Sequence, residues 1–120
     1  MDMFELIGEL NDAPVDFKKV IQVIDTEFDF YPTTFKNGEI INQQDTNNGS
    51  CKIFAFAQFN GLSQQATLNA FGDYYTKDVL ENPDATNHQN IRNFMKYGWE
   101  GIKFEGQALR RRKKIETRGF

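Results

Sequence analysis

The segment Ile53-Phe54-Ala55-Phe56-Ala57-Gln58-Phe59 constrains the fold of this chain more than any other, because it is apolar on nearly every side. A helix of that kind has no polar face to give to water and must lie in the middle of a domain. Asn47-Asn48-Gly49-Ser50 leads into it as polar chain. This spacing predicts Ser50 as the helix cap, Cys51 at or near the first helical position, and Gly61 as the left-handed stop. A thiol at a helix start beside Lys52 feels two influences that favour thiolate. Cys51 therefore has two readings, a reactive nucleophile or a small apolar residue that begins a core helix. Free cysteine is among the most buried residue types, which favours the second.

The other elements must pack around that helix. Met3, Leu6, Ile7 and Leu10 predict a short amphipathic helix. Phe17, Val20, Ile21, Ile24 and Phe28 predict a second, starting at Pro14 and ending before Pro32. Asn37-Gly38 suits a two-residue hairpin turn, in a register that sets Lys36 opposite Glu39, Phe35 opposite Ile40 and Thr34 opposite Ile41. Ser63 caps a helix carrying Leu68, Phe71 and Tyr75, with Gly72 positioned to kink or split it. Asn87 caps another carrying Ile91, Phe94 and Met95, which Gly98 ends. Ile102-Lys103-Phe104 can add a third strand to the hairpin. The expected fold is a single α+β domain, mainly helical, with a small β-hairpin or three-stranded antiparallel sheet.

The 120 residues carry a net charge of −3, unevenly spread. Residues 110–120 hold six of the fourteen basic groups against one acid, Glu116. The reading is therefore a domain over 1–109 and a basic, disordered tail over 110–120. An acidic body argues against nucleic acid as a partner except through that tail. One cysteine and one histidine exclude an internal disulfide, a cysteine zinc site and a multi-histidine metal site, so no metal or cofactor is expected. The longest uninterrupted apolar run, Ile53 to Ala57, is far too short to span a membrane, and the start of the chain lacks the basic residues of a secretory signal. These features imply a cytoplasmic protein.

Asn37-Gly38, the run from Gly49 to Gln58, the block His88-Gln89-Asn90-Ile91-Arg92-Asn93-Phe94-Met95, and Gly98-Trp99-Glu100-Gly101-Ile102 together resemble the HopJ type III effector family. Phe71-Gly72, Tyr75 and Phe104-Glu105-Gly106 extend the resemblance as far as Leu109. Action by binding a protein partner is expected whether the chain is delivered into a host cell or is a non-secreted bacterial cytoplasmic protein, and the resemblance implies delivery by type III secretion. It implies no particular reaction, and nothing about residues 110–120.

Two sets of site residues follow. Gly49-Ser50-Cys51 is similar to the segment that opens the nucleophile helix of papain-like proteases, although Lys52 stands where an aromatic residue should follow. On that reading Cys51 is the nucleophile, His88 its base and Asn90 or Asn93 the group that orients the imidazole. On the binding reading, Trp99 at a turn is a recognition surface, with Arg92 and Lys52 as charged contacts. Arg92 is also placed to pair with Asp84 or Glu100. Asp73, Asp78 and Glu81 are read as a solvated helix face.

Overall fold

The computed structural model describes residues 1–112. Helix α1 (Met3–Asp12) starts with a reciprocal cap, in which Asp2 accepts from the Glu5 amide at 2.8 Å and Glu5 reaches back to the Asp2 amide. It buries Met3, Leu6 and Leu10. Helix α2 (Phe17–Glu27) buries Val20, Val23 and Ile24.

Helix α2 is shorter at both ends than its apolar spacing predicts, and both differences come from distant partners. At its start the Val15 amide donates to the Asn69 carbonyl at 3.0 Å, which leaves Pro14 outside the helix. At its end Phe28–Phe30 becomes strand β1, paired antiparallel with Leu109–Arg111, which is β5 in the numbering below. Phe28 stays in the core as a strand residue, its ring 6.0 Å from that of Phe56.

Strands β2 (Phe35–Asn37) and β3 (Ile40–Asn42) form the hairpin. Its turn lies one residue later than expected, which moves every cross-strand partner by two: Asn37 pairs with Ile40, Lys36 with Ile41 and Phe35 with Asn42, so the two turn residues are Gly38 and Glu39. Gly38 has φ +61°, which suits the first position of a type II′ turn. Asn37 is drawn out of the turn because its side chain is fully buried and bonded to Asn90, 53 residues further along the chain.

Helix α3 (Asn48–Phe59) is the centre of the core, with Cys51, Ile53, Phe54, Phe56 and Ala57 all buried. The ring of Phe54 lies 6.0 Å from Phe35, 5.5 Å from Phe71 and 4.9 Å from Phe94. Gly61 (φ +63°) closes α3 as expected: its amide donates to Gln58 and the Leu62 amide to Ala57, the paired bonds of a Schellman end. The entry differs from the reading. Asn47, not Ser50, is the cap residue, so Cys51 is the fourth helical residue and its amide already bonds to the Asn47 carbonyl.

Ser63 caps helix α4 (Gln64–Asn69) by accepting from the Ala66 amide at 3.0 Å. Gly72 (φ +56°) then separates α4 from a π-helical turn, Tyr74–Val79. A Cβ at Gly72 would lie 2.7 Å from the Val15 carbonyl oxygen, so no other residue fits there. Helix α5 (Gln89–Tyr97) has His88, not Asn87, as its cap residue and ends at Gly98. The 3-10 turn Gly98–Gly101 leads into β4 (Ile102–Phe104), which pairs antiparallel with β2 as the expected third strand, giving the order β3-β2-β4.

Strand β5 (Leu109–Arg111) crosses the boundary drawn at residue 110. Arg110 and Arg111 are strand residues. Arg112 donates to the carbonyls of Asp25 and Phe28 at the end of α2, where a cation is favoured. Residues 113–120 of the expected tail lie outside the described residues. Among the described residues no helix is long and apolar enough to cross a membrane, and no group of acids, histidine and cysteine is placed to hold a metal ion.

Candidate functional site

A cleft of about 380 Å³ opens where the first turns of α3 and α5 come together. Both helices are entered through a left-handed residue, Asn47 at φ +52° and His88 at φ +53°, and neither side chain caps its helix. Gly49 and Ser50 line the cleft from α3, and Gln89, Asn90 and Ile91 from α5. One wall is aromatic. Phe17 and Tyr74 meet edge to face at 5.1 Å, Phe71 stands behind Phe17 at 6.3 Å, and His88 lies 5.0 Å from Tyr74. Glycine at 49 is what lets Phe17 lie on α3, since a Cβ there would be 2.8 Å from the tip of its ring.

The floor is a network of asparagines. Asn42 and Asn90 face each other amide to amide, with Asn42 Nδ2 to Asn90 Oδ1 at 3.0 Å and the reverse bond at 2.9 Å. Asn47 donates to Asn42 Oδ1 at 2.8 Å. Asn37 donates to both the side chain and the carbonyl of Asn90, and Asn93 donates to the Asn37 carbonyl. Buried amides of this kind are tolerated only when paired, and the pairing locks β2, β3, α3 and α5 together. Asn37 Oδ1 is the single buried side-chain atom left without a partner among the described residues.

The residues singled out from sequence do not come together. His88 and Asn90 are on the cleft and Cys51 is not among its lining residues. Cys51 is 1% exposed, and burial pushes its thiol pKa up, partly offset by a hydrogen bond from the Thr33 backbone. His88 Nε2 is 2.9 Å from Asp78 Oδ2, and Asn90 is committed to Asn37 and Asn42.

The three candidate binding residues lie in three other places. Trp99 donates from Nε1 to the Leu62 carbonyl at 3.0 Å and packs edge-on against Phe94. Arg92 donates to the carbonyls of Asn87, Pro83 and Asp78, clamping the loop before α5; it forms no ion pair with Asp84 or Glu100. Lys52 pairs with Asp25 at 2.7 Å and sits over the Phe30 ring. The sequence reading missed Phe17, Tyr74, Asn42 and Asn47 as cleft residues. The visible signal was the density of asparagine on both sides of the hairpin and before α3.

The family model for the HopJ type III effector protein matches residues 3–109. The chain belongs to the HopJ type III effector family. No curated protein matches the sequence. Among solved structures, the crystal structure of VPA0580, a protein of unknown function, is similar at 46% identity with a TM-score of 0.90. The similarity covers 93% of this chain and 95% of that one. The HopJ match spans α1 to the first residue of β5, so every residue that lines the cleft falls within it.

Proposed function

We propose that this HopJ-family protein acts by binding a protein partner in a host cell after delivery by type III secretion, and that it does so through the cleft between α3 and α5, without catalysis. One observation carries the reading. This cleft has an aromatic wall and a hydrogen-bonding floor, whereas the lone thiol is packed into the core away from it. Half-exposed aromatic side chains beside polar groups suit a recognition site, because they supply apolar area at low conformational cost. Trp99, Arg92 and Lys52 lie outside this cleft, each bonded to partners within the chain.

Parallel affinity capture from host-cell and bacterial extracts, with the natural protein and Tyr74→Ser, tests this. The expected result is a partner recovered from host extract by the natural protein and lost with Tyr74→Ser. A partner found only in bacterial extract would replace the delivered role with a bacterial one. A host partner retained at full strength by Tyr74→Ser would remove the cleft from the account.

A further inference from the structure

The solvent face of the three-stranded sheet carries charges that the fold leaves unused. Lys36 on β2 and Lys103 on β4 are direct cross-strand partners, and Ile41 on β3, 62% exposed, completes the row. Like charges placed directly opposite each other cost stability. Beyond the hairpin turn, Glu39 and Glu100 line the same groove, about 390 Å³ in volume, with Gly38, Gly101 and Tyr97 as its base. Among the described residues none of these four charges forms an ion pair within the chain.

The layout runs along the strands, a pair of lysines at the sheet and a pair of glutamates past its turn end. Taken as a whole the groove is neutral, so neither a uniformly acidic nor a uniformly basic partner matches it. A surface with positive and negative pairs side by side is complementary to a second copy turned over by a two-fold axis that lies in the plane of the face, across the strands. We propose that this face is a homodimer interface, in which Lys36 and Lys103 of one copy meet Glu39 and Glu100 of the other across a contact centred near the two lysine–glutamate boundaries. Such an isologous contact closes after two copies. The exposed Ile41 gives it an apolar margin. The patch is small against a standard interface, so the dimer is a weak one.

Sedimentation equilibrium of the full chain, up to concentrations on the order of 1 mM, reads this directly. The expected result is a monomer–dimer equilibrium at low salt that shifts to monomer near 1 M salt, where screening acts over about 3 Å. The variant Lys36→Glu/Lys103→Glu should be monomeric alone, as should Glu39→Lys/Glu100→Lys. An equimolar mixture of the two should restore dimer, because the charges are again opposed across the contact. Thermal melts of each variant check folding. If either double variant is unfolded, Lys103→Glu and Glu100→Lys, mixed in the same way, carry the test. Monomer throughout at low salt, a dimer indifferent to the swaps, or a monomer that instead takes up polyglutamate through these lysines would each overturn the proposal.

Discussion

Replacing Phe54 by alanine removes a side chain on which three separate parts of the chain converge. Its ring is 0% exposed and touches aromatic rings from β2, from the chain just after α4, and from α5. Returning such a side chain to water forfeits roughly 1.5–3 kcal/mol of transfer free energy. The hole left behind adds to this, because its neighbours belong to elements pinned by the sheet and by the asparagine network and cannot all move inward. Together the loss should be about 3–5 kcal/mol. That is a large part of the roughly 5–15 kcal/mol that holds a domain of this size together. Urea unfolding followed by far-UV circular dichroism measures it, with the slope against denaturant unchanged if only the native state is affected. The companion variant Phe59→Ala, at the 53% exposed end of the same helix, should lose well under half as much. A Phe54→Ala loss below about 1 kcal/mol would mean that the centre of the core has been misplaced.

Asn90→Ala should cost about 1–3 kcal/mol in the same assay, since it removes both bonds between the buried amides of Asn42 and Asn90 and one of the two from Asn37, whose bond to the carbonyl of residue 90 remains. Gly38→Ala should cost about 2 kcal/mol or more, because φ is +61° there and the added methyl would drive into the Tyr97 ring. A loss under about 0.5 kcal/mol at Gly38 would contradict the left-handed backbone and the close Tyr97 packing at that residue. The buried Cys51 thiol has its pKa raised by the fold, so the unfolded chain gives up this proton first as pH rises. Its contribution is therefore fully present below the unfolded thiol pKa and declines as pH climbs past it. Stability measured from about pH 7 to pH 10 should fall more steeply in the natural protein than in Cys51→Ala.

The parts of the fold legible in the sequence were those written in local pattern. The all-round apolar run marked α3 as central, Ser63 capped α4, Gly61, Gly72 and Gly98 marked breaks, and Ile102–Phe104 joined the hairpin. What sequence reading missed was decided by contacts between distant residues. Asn37-Gly38 is the stronger local turn, yet bonds from Asn37 to Asn90, and from Asn93 to Asn37, move the turn on by one residue. Phe28 continues the helical spacing of α2, but the strand at Leu109–Arg111 claims it. The same strand takes Arg110 and Arg111 out of a tail that composition alone described as unstructured. In the candidate site, His88 and Asn90 were visible because polar residues at a helix start stand out. Phe17 read as part of an apolar helix face and Tyr74 drew no reading; their place on an open wall depends on Gly49 and on the π-helical turn, neither of which leaves a periodic trace.

The central claim is that this HopJ-family protein works by binding, with its single thiol serving as core. Reaction of the native chain with iodoacetamide near neutral pH tests it without any knowledge of the partner. The account predicts labelling of Cys51 far slower than that of a free thiol of pKa about 8.5, becoming fast only when urea unfolds the chain. Fast native labelling that drops in His88→Ala would contradict it, and would make Cys51 and His88, with Asn90, the working parts of an enzyme.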